Sequence, residues 1–303
     1  MLRVDRAGAL PLSKLVLPAA PAWFRFPRGA AVHLGAVDPN GPKWFDLGPL
    51  DVHALLAQGH LRAKDLQVRM QNGSPMQAPE RFALPVPQPG KILCLAKNYV
   101  AHAREMGGEA PKEPIFFAKL PDTLVPHEAP VVIPHWLETR VDHEAELALI
   151  LGFADPEHRG AKYLTAADAP RVVAGYTLLN DVTARKLQGT DRDQKYPWLR
   201  SKSLDTFCPV GPFVVPADAF DASDRRIVMR VNGAIRQEAR TKDMVFPIAA
   251  ALVAMAQCTT LRPGDLIAMG TPEGVGPVVP GDVMEVEVEG LGVLRNPVVR
   301  EER

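Results

Sequence analysis

Cysteine is scarce in this chain: Cys94, Cys208 and Cys258 lie far apart and lack the close pairs that a zinc site uses. That spacing excludes a disulfide-stapled scaffold and a cysteine metal centre, and it predicts reduced core thiols in a cytoplasmic protein. Charge of one sign is not in excess either. Lys+Arg 35 balances Asp+Glu 35, so neither nucleic acid nor an acidic membrane surface is an expected partner. No apolar run reaches membrane-spanning length. The best candidate, residues 246–255, opens Phe246-Pro247 and reads as a buried helix. The start, Met1-Leu2-Arg3-Val4-Asp5-Arg6 with prolines at 11, 18 and 21, has no continuous apolar core of signal-peptide type. There is no internal repeat and no low-complexity segment.

What the chain does have is apolar mass and proline. At 303 residues and 47% hydrophobic it can build one large domain or two. Its 30 prolines are about twice the usual share and are spread along the chain, which predicts many stiff loops. Residues 1–83 read as a small α/β module, with a strand over Ala30–Val37, a turn at Asp38-Pro39-Asn40-Gly41 and a helix over Asp51–Gly59 capped by Asp51. His33, His53 and His60 form no constellation there and read as surface or packing residues. The proline-rich segment 84–90 is a stiff linker, and residues 91–303 make a second, larger region.

In this larger region a single stretch carries the chemistry. Val141-Asp142-His143-Glu144-Ala145-Glu146-Leu147-Ala148-Leu149-Ile150-Leu151-Gly152 reads as a strand ending at a glycine. Residues two apart on a strand share a face, so Glu144 and Glu146 project together. Two adjacent carboxylates entering an apolar run need protons, basic partners or a metal ion. The alternative is a solvated strand face. A second apolar run, residues 172–179, turns polar at Asn180-Asp181 and reads as a strand feeding a short helix. Asp181 is then either the helix N-cap or a third carboxylate for the same site. Three carboxylates make an all-oxygen donor set suited to a hard cation, magnesium first, then manganese or calcium. After the strand Lys91–Leu95, the segment Ala96–Met106 reads as a helix that sets His102 and Glu105 on one face. A carboxylate beside an imidazole orients it and raises its basicity, which suits a general base; the alternative is a surface pair. Gly107-Gly108 is a hinge or a helix stop. Residues 188–198 read as a charged loop, Val228–Ile235 as a hairpin turning at Asn232-Gly233, and Val283–Glu289 as a strand.

Nine stretches in order resemble the fumarylacetoacetate hydrolase superfamily. They are Lys91-Ile92-Leu93-Cys94, Asn98-Tyr99 with His102-Ala103 and Glu105, Phe117-Ala118-Lys119, Glu144-Ala145-Glu146-Leu147, Asn180-Asp181-Val182-Thr183-Ala184-Arg185, Lys202-Ser203, Cys208-Pro209-Val210-Gly211-Pro212, Val231-Asn232-Gly233 with Arg236-Gln237, and Gly270-Thr271-Pro272 with Gly274-Val275-Gly276. The likeness is greatest to the branch of acylpyruvate hydrolases, oxaloacetate decarboxylases and hydroxy-diene-dioate isomerases. The resemblance implies a mixed α+β fold, mostly β, a β-sandwich roll with a small N-terminal α/β module, assembled as a homodimer. It implies a Mg2+ or Mn2+ site on Glu144, Glu146 and Asp181, a catalytic His102–Glu105 dyad with Lys202, and substrate contacts from Gln188 and Thr271.

Two departures bear on the substrate. Asn98 stands where fumarylacetoacetate hydrolase proper has a further metal-site aspartate, which argues against fumarylacetoacetate itself. Leu204 replaces the usual phenylalanine after Lys-Ser and is expected to reshape the pocket wall. The resemblance implies metal-dependent cleavage of a C–C bond in 2,4-dioxo acids (acylpyruvates), by way of an enolate held on the metal. Oxaloacetate decarboxylation or tautomerisation and 2-hydroxyhepta-2,4-diene-1,7-dioate isomerisation are alternatives on the same site. A catalytically inactive binding protein is a more remote one.

Overall fold

A computed structural model describes residues 15–153 and 160–302. The segment Met1–Arg6 considered above lies outside them. The fold is a mixed α+β arrangement dominated by strands. A four-stranded antiparallel sheet comes first, in the order Ala22–Arg28, Ala31–Asp38, Lys43–Gly48, Ser74–Met76. Between its last two strands lie the helices Val52–Ala57 and Ala63–Asn72. Asp51 caps the first of these by accepting from the N–H groups of His53 and Ala54.

The rest of the chain packs two larger sheets face to face. The six-stranded sheet runs Val215–Pro216, Val173–Asn180, Ala145–Leu151, Leu266–Ala268, Ile92–Ala96, Ile115–Lys119. The five-stranded sheet runs Ala234–Arg240, Arg226–Val231, Val283–Val288, Gly292–Arg300, Val131–Ile133. Every residue of Ala145–Leu151 is buried, because both faces of this strand are covered. Ala145 and Leu147 pack with Met229, Val286 and Leu294 of the five-stranded sheet. Farther along the same face, Leu149 and Leu151 meet Leu252 and Met255 of the helix Ile248–Cys258. On the other face, Ala148 and Ile150 meet Leu34 and Leu56 of the N-terminal region.

The N-terminal sheet thus shares its core with the rest. Phe24 stacks edge-on against Phe213 at 6.1 Å, and Trp23 exchanges backbone hydrogen bonds with Val214. The segment 84–90 is turn-rich and held down, with Pro85, Val86 and Pro89 buried. None of the described helices is long and apolar enough to cross a membrane.

Several expectations need correction. The stretch Val141–Gly152 is two strands, Val141–His143 and Ala145–Leu151, and Glu144 sits at the break. Side chains supply the reason. The N–H of Glu144 goes to Asn180 Oδ1 at 2.9 Å and that of Ala145 to Gln237 Oε1 at 3.0 Å, so the chain leaves one sheet and enters the next. Asp181 is not a helix N-cap. It follows the strand Val173–Asn180, a two-residue strand Thr183–Ala184 comes after it, and the helix begins only at Arg185. The charged stretch after Gln188 is not a loop at its start: Arg185–Asp193 is a helix, and Gln188 and Asp191, three apart, share its buried face. The helix carrying His102 is shorter than expected, Val100–Glu105. Cys94 and Cys208 are buried, but Cys258, at the last turn of its helix, is exposed.

Candidate active site

Glu144 at the break and Glu146 in the strand Ala145–Leu151 come together, and the antiparallel neighbour brings up Asp181. The N–H of Asp181 donates to Glu144 O at 2.9 Å. One carboxylate oxygen from each of Glu144, Glu146 and Asp181 lies within 4.8 Å of the others, and all three residues are buried.

Cations surround two of the three. Lys202 Nζ donates to Glu144 Oε2 at 2.8 Å and to Asp181 Oδ2 at 2.6 Å. Lys119 Nζ donates to Asp181 Oδ1 at 2.7 Å. Arg185, at the start of its helix, bridges Asp142 Oδ2 at 2.8 Å and Glu144 Oε1 at 2.5 Å. Burial alone would raise the Glu144 carboxyl. Lys202, Arg185 and His102 outweigh burial and hold it well below the usual carboxylate range.

Glu146 is different. Its Oε2 accepts the Gly270 N–H at 2.7 Å, but no cationic side chain bonds it among the described residues. Burial, then the charges of Asp181 and Glu144, push its carboxyl well above the usual range. A further cation is what this carboxylate needs to ionise, and an all-oxygen donor set suits a hard one. The residues present therefore fit a divalent magnesium-like or manganese-like ion.

His102 and Glu105 do meet. His102 Nδ1 lies 3.0 Å from Glu105 Oε2, and Glu105 Oε1 accepts the Gly274 N–H at 3.0 Å. With Nδ1–H directed at the carboxylate, Nε2 is left as the basic nitrogen. The Gly270–Gly274 loop links this dyad to the carboxylates through its backbone N–H groups. The first end of that loop holds Glu146 and the other holds Glu105.

A cavity of about 280 Å³ is lined by several of these groups, with Asp181 and Glu105 lying behind its wall. Its walls include His102, Glu144, Glu146, Gln188, Lys202 and Thr271, with Met106, Phe117 and Trp198 on the apolar side and Lys97 and Arg192 among the cations. Gln188 Oε1 accepts from Arg185 at 2.6 Å, and its amide hydrogens, which have no partner among the described residues, can face the cavity. Lys202 Nζ also lies 4.9 Å over the Phe117 ring.

Leu204 is absent from that wall and instead packs against the core shared by the two large sheets. Asn98 is equally remote in role. Its amide donates to Met269 O at 2.8 Å and Phe246 O at 3.2 Å, and its Oδ1 accepts the Phe246 N–H at 2.8 Å. Sequence patterns left Lys119, Arg185 and Gln237 without site roles. Their partners are distant in sequence. For Lys119 the available signal was a lysine closing the apolar run Ile115-Phe116-Phe117-Ala118.

Comparison with known proteins bears on this geometry. The family profile described as fumarylacetoacetate (FAA) hydrolase C-terminal matches residues 91–299. A mitochondrial protein of Bos taurus named oxaloacetate tautomerase FAHD2A is 37% identical over 293 residues, 91% of this chain and 90% of the relative. Among solved structures, a fumarylacetoacetate hydrolase from psychrophilic Exiguobacterium antarcticum superposes with a TM-score of 0.79 at 34% identity, covering 93% of this chain and 100% of that one. Maleylpyruvate hydrolase from Sphingobium sp. SYK-6, solved with manganese(II) ion and pyruvate, gives a TM-score of 0.75 at 30% identity, covering 93% and 100%.

Proposed function

Since the chain belongs to the fumarylacetoacetate hydrolase family, we propose that it is a Mg2+- or Mn2+-dependent enzyme that hydrolyses a C–C bond in 2,4-dioxo acids. The observation that carries this reading is the cavity itself, which His102 lines together with Glu144, Glu146 and Lys202, with Glu105 bonded to His102 behind it. Glu144, Glu146 and Asp181 would hold the cation, which when bound supplies Lewis-acid polarisation of the oxo acid's oxygens.

The chain's own residues do the rest. Glu105 fixes the His102 tautomer, and His102 Nε2 takes a proton from a water. That water attacks the distal carbonyl. The free amide hydrogens of Gln188, with Lys202, stabilise the developing oxyanion. The C–C bond breaks, the pyruvate half leaves as an enolate, and His102 returns the proton to its carbon. Thr271 contacts the bound acid.

A second reading has a specific observation behind it. The Bos taurus oxaloacetate tautomerase matches along 91% of this chain, the N-terminal region included. Keto–enol exchange of oxaloacetate needs the same base and no attacking water. Acetylpyruvate and oxaloacetate, each given Mg2+ or Mn2+ and followed by ultraviolet loss of the enol, pyruvate release and carbon dioxide release, separate the readings. Metal-dependent formation of pyruvate and acetate supports hydrolysis. Enol loss from oxaloacetate without pyruvate or carbon dioxide replaces hydrolysis by tautomerisation. A homodimer belongs to this proposal, and sedimentation of the purified protein tests it.

A further inference from the structure

Gln237 has no role in the reaction above, yet its side chain is fully used inside the protein. It lies on the strand Ala234–Arg240 and is 1% exposed. Its Oε1 accepts the Ala145 N–H at 3.0 Å and faces His143 Nδ1 at 3.1 Å. Its Nε2 donates to Pro272 O at 2.8 Å and to Thr271 Oγ1 at 2.8 Å. The amide has a single workable orientation. A flip would set Nε2 against the Ala145 N–H and Oε1 against the Pro272 carbonyl, losing both bonds. Two backbone groups therefore decide the orientation, and the orientation decides what the side-chain partners do. His143 must carry its proton on Nδ1, and Thr271 must accept.

A hydroxyl has one proton to give. Thr271 uses a lone pair on Gln237, and among the described residues no side chain or carbonyl takes its proton. Thr271 is 3% exposed and lines the cavity of His102, Glu146 and Lys202. The loop around it is clamped beside Gln237. At Gly274, φ is +89° and a Cβ would run into Arg236 O, the residue before Gln237. At Gly270, φ is +88° and a Cβ would lie 2.8 Å from Asn98 Cβ. The loop thus sits against the backbone of residue 236 and is pinned by the side chain of residue 237.

We propose that Gln237 is a positioning residue: it holds Thr271 with the hydroxyl proton turned into the cavity, as the donor that meets an anionic oxygen of the bound oxo acid. This rests on the oxo-acid reading given above. A carboxylate or enolate oxygen at that point takes the one proton the hydroxyl has to give, so the device favours such an oxygen.

Oxalate, with Mg2+ present, is the probe. Its affinity is measured by calorimetry on the wild type, Gln237→Glu, Thr271→Val and the double variant, with thermal midpoints recorded for each. Gln237→Glu keeps the acceptor for Ala145 but gives Thr271 a carboxylate to donate to, turning its proton away from the cavity. Each single change is expected to weaken oxalate by about tenfold, and the double variant no more than either single one. Losses that multiply in the double variant, or an unweakened Gln237→Glu of wild-type midpoint, overturn the proposal.

A second measurement does not depend on Gln237→Glu folding or on any ligand. In proton–nitrogen spectra, Thr271→Val should shift one side-chain amide proton of Gln237, while the one held by Pro272 stays. An unchanged pair overturns the proposal. Wild-type protein that neither binds oxalate nor turns over an oxo acid removes the oxo-acid reading. The amide spectrum then still decides whether Gln237 holds Thr271.

Discussion

Lys119 Nζ lies 2.7 Å from Asp181 Oδ1 in the interior, and each side chain is at most 1% exposed. Lys202 takes the other oxygen of the same carboxylate at 2.6 Å. Both oxygens of the Asp181 carboxylate are therefore taken up by lysine side chains. Breaking a buried pair from one side leaves an uncompensated charge, at a cost of about 3–5 kcal/mol. Lys119→Met leaves Asp181 with Lys202 alone, so it should lose up to that much stability in urea unfolding with a chelator present, and less when Mg2+ is added. An unfolding midpoint equal to that of the wild type would show that the pair contributes nothing.

His102→Ala should cut turnover by roughly a hundredfold or more while leaving Mg2+ affinity in place. Glu105→Gln, which keeps the shape but removes the charge that orients the imidazole, should show a smaller loss in the same direction. Steady-state rates with acetylpyruvate and oxaloacetate check both. Unchanged turnover in His102→Ala sinks its role as base.

Glu146 carries the raised carboxyl, because burial and then Asp181 and Glu144 disfavour its charge. A cation bound there must displace a proton, so Mg2+ or Mn2+ affinity should rise with pH and binding should release protons. Calorimetry in buffers of different ionisation enthalpy reads the proton count. At about a hundred times its Kd, the ion should add about 2.7 kcal/mol of stability. Glu146→Ala should lose both effects; a retained thermal shift in that variant removes these carboxylates as the site.

His127 should give the protein an acid-labile component. Burial, with Arg295 second, lowers its imidazole from 6.5 to about 4. Its Nδ1 accepts the Arg295 N–H at 3.1 Å, which the neutral ring alone can do. Above pH 6.5 neither folded nor unfolded chain protonates it. Between 6.5 and 4 the unfolded chain takes up the proton first, so stability falls by about 3 kcal/mol as pH drops through that window. His127→Asn, which offers an oxygen to the same N–H, should flatten this portion of the pH profile of urea unfolding. Equal slopes in variant and wild type would refute it.

Phe24 ties the N-terminal sheet to the rest, touching Trp44, Phe82 and Phe213 at centroid distances of 5.2, 5.6 and 6.1 Å. Phe24→Ala should cost about 3–5 kcal/mol. A single unfolding transition that moves as one is expected, since its cluster also contains Leu147 and Met229. Two transitions, with only one of them moved, would make residues 22–76 an independent unit.

Much of the site chemistry could be read from local patterns. Glu144 and Glu146 are two apart at the head of an apolar run, His102 and Glu105 three apart in a helical one, and Asp181 directly follows a strand; these short spacings are what the linear chain displays. Local patterns missed what depends on which strand lies beside which. Nothing near Glu144 in sequence shows that its N–H goes to Asn180, 36 residues on, and so breaks the strand at the carboxylate. Residues 188–193 read as loop because their charge hid a helix whose buried face is only Gln188 and Asp191.

The donor types are written in the linear chain: three carboxylates of a kind that suits a hard cation, and an imidazole with its own carboxylate. Their charge state and aim come from the packed fold. Lys119, Arg185 and Lys202 reach the carboxylates from 62, 41 and 58 residues away, and Gln237 reaches Thr271 from 34. Whether a buried carboxyl is an anion, and where a hydroxyl proton points, depends on the groups within a few ångströms of it. Chain neighbours do not supply those groups here; an edge strand, two helices, the facing sheet and one clamped glycine loop do.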